Sequence, residues 1–592
     1  MASVWYFNVT AYAVLFLLGG WNMSWGIVSK AYGEILIDEQ ISPPAVTLPQ
    51  GTIRGAKMVS YRNKTFFAFN GIPYAKPPIG DLRFKDPMPP DPWNGTIDSN
   101  HESEQCIQFE PLIYEDTTGN EDCLYLNIYT PPLSTSNNIK QLPVMVYIFG
   151  GRFELGNITS TRCDPRFILD RNVILVVPSY RLGVLGFLTT GDEVLPGNYG
   201  LKDMVQALKW IQDNVQYFGG DANRVTLFGS SSGSVMVHLL TLSNLTDGLF
   251  HRYILQSGTA FTPAAMTPRS VSSNRAIRLG QYLACPTDSS NMLVNCLKGI
   301  SASKLVKMTS MFHEWGQYPV VVWGPTIEPD VEGALLTDSP ANLLAAGKIR
   351  DLPSIALVTR DEGLELSLPL FENRDVLQDF LNNIDFILPV MIQYEGLVEN
   401  MTDFTSTLKS YYLNDLTANR SLILRNITQL IGDAMFTYPT YRVVKEQLTK
   451  AKNFQYFCSF EYRGRFSYSY YHGRFNYSYH GGSPVNHGVA HADELLYLLP
   501  GPKSWYGPTD WEYSDADWKM VDTMVQLWTS FATTGVPATL DSDDSTIWSP
   551  FSSRDNYLRI GNGSAVVLEV QYGFHKERIQ VWDKLTRATT LK

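Results

Sequence analysis

The chain has 592 residues and only six cysteines. That is too few for a disulfide scaffold, so a buried core must hold most of it. It has no long basic run and carries a formal net charge of −11. This balance argues against nucleic acid or an anionic membrane as the main partner. Past the N-terminus, no apolar stretch is long enough to span a bilayer. The C-terminal VWDKLTRATTLK lacks the hydrophobic tail of a lipid-anchor signal. No linker stands out after Val46, and a single domain is expected over residues 44–585.

What is present is ordinary globular material, 44% hydrophobic and 18% charged. The N-terminus, MASVWYFNVTAYAVLFLLGGWNMSWG, holds an apolar run from Ala11 to Trp21. That run suits a signal peptide better than a membrane span. A leader over residues 1–26 is predicted, with cleavage between 20 and 32, near Gly26 or Ala31. The segment before the run lacks lysine and arginine, and the rival reading is an uncleaved anchor. Secretion is also what the Asn-x-Ser/Thr sites suggest, at Asn63, Asn94, Asn157, Asn244, Asn400, Asn419, Asn426, Asn476 and Asn562. Cys106 and Cys123 bracket one short loop and Cys285 and Cys296 another, and both are disulfide candidates. Cys163 and Cys458 remain, and Cys458 in FQYFCSF reads as a buried thiol.

Between Pro143 and Ile254 apolar runs alternate with helical patterns. LPVMVYIFGG, NVILVVPSYR, NRVTLFG and RYILQSG read as strands, while LKDMVQALKWIQDNVQYFGG and SSGSVMVHLLTLS read as helices. Such alternation predicts an α/β fold with a mainly parallel, buried sheet. PSIALVTRDEG and FQYFCSF extend it, and the region after Pro263 is richer in helical patterns. YRGRFSYSY (462–470) is repeated at once as YHGRFNYSY (471–479). Residues 462–479 read as a lengthened aromatic surface loop, since loops tolerate insertion. The sharper alternative is an aromatic rim over a substrate site.

Gly229-Ser230-Ser231-Ser232-Gly233 lies between a strand and a helix. A tight turn there pushes the central side chain, Ser231, outward at a helix N-terminus, where free N–H groups favour a developing anion. Ser230 and Ser232 should point elsewhere. A serine needs a base, and the base a carboxylate. RDEG offers Asp361 and Glu362, and GVAHADELLYLL offers His491, in the order serine, acid, histidine. His487, His491 and Glu494 resemble a metal pattern only superficially. The general-base glutamate of H-E-x-x-H is missing, and Gly488 weakens a helix. No metal and no cofactor is expected. Asp361 reads as a solvated turn residue.

FNGIPYAKPPIGDLRF, EDCLYLNIYTP, YRLGVLGFL, GNYGLKD, FGGDANRVTLFGSSSG, RDEG and GVAHADEL together resemble the type-B carboxylesterases, the cholinesterase-like branch of the α/β-hydrolases. The resemblance runs from about Val46 to Leu585. It implies Ser231 as nucleophile, Glu362 as acid and His491 as base, and disulfides Cys106–Cys123 and Cys285–Cys296. It also implies buried structural ion pairs Arg83–Glu121 and Arg181–Asp203. The oxyanion donors would be the backbone N–H groups of Gly151, Arg152 and Ser232.

Three departures qualify it. Phe149-Gly150-Gly151-Arg152-Phe153 stands where the family usually carries H-G-G-G-F. Arginine there either strains the oxyanion loop or recognises an acidic substrate. Ser230 and Ser232 replace the usual Glu and Ala of cholinesterases and many relatives. No tryptophan lies between Cys106 and Cys123, so the platform for a quaternary ammonium is missing. GLKDMVQALKW resembles juvenile-hormone esterases, but the elbow lacks their usual Gln. The expected function is a secreted serine carboxylesterase acting on small-molecule esters, with no stable membrane span after leader removal. The alternative is a catalytically weakened adhesion or binding protein.

Overall fold

The apolar runs become strands of one large sheet. Ile174–Pro178 and Ser354–Thr359 are buried along their whole length, as strands covered on both faces must be. The computed structural model describes residues 43–109, 116–132, 141–415, 419–469, 486–501, 512–539 and 547–588. The expected leader and Asn476 lie outside the described residues.

The first strands are β1 (Ala45–Leu48), β2 (Gly51–Arg54), β3 (Ala56–Val59), β4 (Thr65–Pro73) and β5 (Thr96–Asp98). Then come β6 (Tyr125–Thr130), β7 (Leu142–Ile148), β8 (Ile174–Pro178), β9 (Gly220–Ser230) and β10 (Arg252–Gln256). β11 (Ser354–Thr359), β12 (Gln455–Tyr462), β13 (Asn556–Gly563) and β14 (Ala565–Tyr572) complete them. β1, β2 and β5 form a three-stranded sheet. The other eleven are ordered β14-β13-β12-β11-β10-β9-β7-β8-β6-β4-β3. From β13 to β8 all neighbours run parallel. The edges, β14 on one side and β6-β4-β3 on the other, are antiparallel. This layout is that of the α/β-hydrolase fold expected from the sequence.

The order places the site. After β7 the chain adds β8 on one side, then crosses back through the short helix α1 (Gly183–Phe187) and the helix α2 (Tyr199–Asn214) to lay β9 on the other. A crevice opens where winding reverses, outside the carboxyl ends of the strands. The glycine-rich loop after β7 and Ser231 after β9 both emerge there. The loops after β10 and β11 follow along the same edge.

The four paired cysteines are bonded as Cys106–Cys123 and Cys285–Cys296, and Cys163 and Cys458 are buried free thiols. Arg181 grips Asp203 with Nε and Nη2 at 2.9 and 2.7 Å, and both side chains are under 5% exposed. Arg83 and Glu121 also form a two-pronged pair, at 2.7 and 2.5 Å. That pair is less enclosed than expected, with 11% and 15% of the side chains exposed, because it lies between two peripheral segments. Arg83 Nη1 also donates to the carbonyls of Lys298 and Ile300.

The first copy of the duplicated motif is not a surface loop as far as it is described. Tyr462 ends β12, and Phe466, Ser467 and Ser469 are buried. Asp493 draws the segment inward, accepting from Ser467 Oγ at 2.9 Å and Tyr468 N–H at 2.7 Å. The second copy lies outside the described residues.

Candidate active site

Ser231 sits between the end of β9 and the start of the helix α3 (Ser232–Thr241) with φ 58° and ψ −129°. Few L-residues adopt that backbone, and its cost of about 1–3 kcal/mol is the kind stored at functional turns. The flanking glycines permit it. A Cβ on Gly229 would lie 2.6 Å from the carbonyl carbon of Gly233, and one on Gly233 would lie 2.1 Å from the Ile148 oxygen. Strand, turn and helix therefore touch backbone to backbone, and the G-x-S-x-G pattern records that closeness. Ser231 N–H is held by the Gln256 carbonyl at 2.9 Å, which fixes the turn against β10.

The neighbouring serines point away, as expected, and both find work. Ser230 Oγ lies 3.5 Å from Glu494 Oε1. Ser232 Oγ accepts the N–H of Phe153 at 3.2 Å, pinning the loop after β7 against the elbow. In that loop Gly151, Arg152 and Phe153 have φ of 125°, 62° and 62°. Gly151 cannot carry a side chain, since a Cβ would lie 2.2 Å from the Leu155 oxygen. Arg152 lies in the left-handed α region, which a non-glycine residue reaches at about 1–2 kcal/mol. Ser232 opens α3, where first-turn N–H groups have no acceptor within the helix.

Glu362 follows β11 and is buried. Its Oε2 meets His491 Nδ1 at 2.7 Å, and its Oε1 accepts from Ser257 Oγ at 2.5 Å and Thr359 N–H at 2.7 Å. The carboxylate is thus held by three donors, one of them the histidine. His491 Nε2 is buried and has no hydrogen-bond partner among the described residues. The Phe436 ring packs on the imidazole at 4.4 Å. Burial pulls the pKa of His491 down, but the bond and charge of Glu362, with Glu365 and Glu494 beyond, push it up overall.

The sequence reading missed several supports. Asp361 is a partly exposed turn residue, but it also has a structural role. It accepts Val489 N–H at 2.8 Å and binds Arg360 at 2.7 Å, so it ties the acid's loop to the histidine's. Ser257 gave only the signal of a Ser-Gly turn after a strand. Glu494 is wholly buried, takes Gln256 Nε2 at 2.9 Å, and leaves Oε2 without a partner among the described residues. Burial first, with the Glu362 charge, pushes its carboxyl up to about 7. His487, against Phe371 at 5.2 Å, lines a different cavity with Arg360 and Arg425. No cluster of three metal-binding side chains occurs among the described residues.

Glu494 and His491 titrate as coupled groups, so the acid limb of the pH–rate profile is expected to be broad. Glu494→Gln removes a negative charge that raises His491. The limb should then sharpen and its midpoint move to lower pH, measured as kcat/KM against pH with an uncharged ester.

A cleft lies over Ser231, lined also by Ser232, Arg152, Glu365, Val235 and Phe436 among others. Ser231 opens onto that cleft together with Phe436, whose ring packs on His491, and His491 is backed by the buried Glu362. That arrangement suits acyl transfer.

Comparison with known proteins gives the same chemistry. Residues 42–582 match the carboxylesterase family. The chain is 35% identical to juvenile hormone esterase of Tribolium castaneum over 510 residues, 84% of each chain. It is 36% identical to esterase FE4 of Myzus persicae, over 86% of this chain and 87% of that one. Among solved structures, juvenile hormone esterase from Manduca sexta with OTFP covalently attached superposes with a TM-score of 0.77 at 26% identity. That match covers 92% of this chain and all of the other.

Proposed function

Because the chain belongs to the carboxylesterase family and is a carboxylic ester hydrolase, we propose that it works through Ser231, His491 and Glu362 as a secreted serine esterase. The observation that carries this is the Glu362–His491 bond of 2.7 Å with the far imidazole nitrogen left unpartnered among the described residues.

Ser231 Oγ attacks the ester carbonyl while His491 Nε2 takes its proton. The bond from Oγ to carbon forms as the carbonyl electrons move to oxygen. That oxyanion is met by the N–H groups of Gly151, Arg152 and Ser232. The carbon–alkoxy bond then breaks, and His491 returns the proton to the departing alcohol. Water enters, gives its proton to His491, and releases the acid and free Ser231. Glu362 holds the imidazole in the tautomer that keeps Nε2 free. Arg152 is compatible with this role because a backbone donor needs only its dihedrals, and arginine can hold φ 62°.

Several features support export. Both disulfides suit an oxidising compartment. Asn63, Asn94, Asn244, Asn400, Asn419 and Asn562 are exposed and are the sites we assign to glycans. Asn157 is half-buried and donates Nδ2 to Gln105 Oε1 at 2.8 Å, so glycosylation would break that bond. Asn426 is half-buried within a helix.

A fluorophosphonate probe is expected to label the wild-type protein at Ser231, located by peptide mass mapping, and to leave Ser231→Ala unlabelled. A folded wild type that takes no label would sink the esterase reading.

A further inference from the structure

Val320, Val321, Val322 and Trp323 are residue types that favour strands, yet the run lies in no helix or strand. All four are buried, and Val320 and Val321 line the cleft at Ser231. A buried backbone outside a sheet still needs hydrogen-bond partners. Here side chains from three separate segments supply them. Gln393 Oε1 accepts the Val321 N–H at 3.0 Å, and its Nε2 donates to the Val321 carbonyl at 3.0 Å. Glu154 Oε1 accepts the N–H groups of Val322 and Trp323 at 3.0 and 3.4 Å. Arg275 Nη1 donates to the Val322 carbonyl at 2.6 Å.

Two of these clamps carry more than packing. Gln393 follows the helix Ile384–Met391 with φ 51°, a backbone that glycine meets more cheaply. The paired bonds of its amide are what a glutamine contributes there and a glycine cannot. Glu154 directly follows Arg152 and Phe153, and its own N–H donates to the Gly151 carbonyl at 3.0 Å. One residue thus joins the valine wall of the cleft to the loop of the proposed oxyanion donors.

We propose that Gln393 and Glu154 are positioning residues for ester hydrolysis. Gln393 fixes the Val320–Val321 wall and so limits the length of hydrocarbon chain that an ester can carry into the cleft. Glu154 ties the oxyanion loop to that wall. This rests on the esterase reading above. The wall is apolar, so the group it meets is a hydrocarbon part of the substrate.

Two ester series test it, one varying the acyl chain and one the alcohol: p-nitrophenyl acetate, butyrate and hexanoate, and ethyl, butyl and hexyl acetate. In Gln393→Ala the kcat/KM ratio of long to short esters should rise about tenfold or more in one of the series, the effect of about one methylene in an apolar pocket. Gln393→Gly relieves the backbone but still lacks the amide, so it should show the same shift with a Tm no lower than that of Gln393→Ala. A merely structural role would instead recover with glycine. Val321→Ala should raise the ratio by itself, and Gln393→Ala added to it should change little more, since the glutamine acts through Val321. Glu154→Ala should lower kcat for every ester with little change in the KM of the shortest, because the donors it displaces act in the transition state. Glu154→Gln keeps an acceptor oxygen and should restore most of that loss. A ratio unmoved in Val321→Ala and in both Gln393 variants, or an equal fall at every chain length, overturns the role of Gln393. Equal losses in Glu154→Ala and Glu154→Gln overturn that of Glu154. If wild type hydrolyses no ester and takes no fluorophosphonate label, the esterase reading underneath fails instead.

Discussion

His491→Ala is expected to lower kcat by about 10⁶-fold, a loss of the size seen when the base of a serine triad is removed. Glu362→Ala is expected to cost less, about 10⁴-fold, because an imidazole without its carboxylate still accepts a proton. The contacts argue for this ranking. In the proposed mechanism His491 Nε2 takes the serine proton; it has no hydrogen-bond partner among the described residues, and Nδ1 is fixed on Glu362. Glu362 is itself anchored by Ser257 and Thr359, so its removal also releases two donors into a buried site. Single-turnover kinetics with an uncharged ester check both variants. If His491→Ala retained more than about a hundredth of wild-type kcat, another base would be acting, since general-base catalysis alone is worth about 10²–10⁴.

Much of this was legible in the sequence, for stateable reasons. Strands covered on both faces must be apolar at every position, so ILVVP and SIALVT stood out without a structure. The elbow was legible because its two glycines are forced by backbone contact. RDEG and GVAHADEL stood out by their order after the serine, while the choice of Glu362 over Asp361 rested on the family resemblance. The antiparallel edge strands were not found. β14 is half-exposed along most of its length and gives no continuous apolar signal. Ser257, Gln256 and Glu494 were missed because their meaning lies in pairs far apart in the chain, such as Ser257 with Glu362 and Gln256 with Glu494. No periodicity reports such pairs. The structural role of Asp361 was not legible, because its tie to Val489 exists only once the second loop is folded onto the turn. Arg152 was seen as a departure, and only its φ showed that the backbone can accept it.

Asp203→Ala is expected to destabilise the fold by about 3–5 kcal/mol, the cost of leaving one member of a buried pair unpaired. Arg181 would keep its charge with 4% of its side chain exposed. Burial pulls its pKa down, but Asp203 more than offsets that and holds it up. The carboxylate also accepts Arg181 N–H at 3.0 Å, and Arg181 Nη1 donates to the Lys85 carbonyl at 2.7 Å. Replacing both charges with leucine and methionine therefore should not restore wild-type stability, since these backbone groups lose their partners as well. A double-mutant cycle on urea unfolding measures the coupling, and additive single effects would show that the pair is not what holds α2 to β8. The loss should reach the chemistry too. Two residues past Arg181, Gly183 N–H donates to the Phe153 carbonyl at 2.7 Å. Phe153 ends the loop that carries Gly151 and Arg152. A chain loosened at Arg181 would shift those proposed oxyanion donors, so Asp203→Ala should lower kcat even where the protein remains folded.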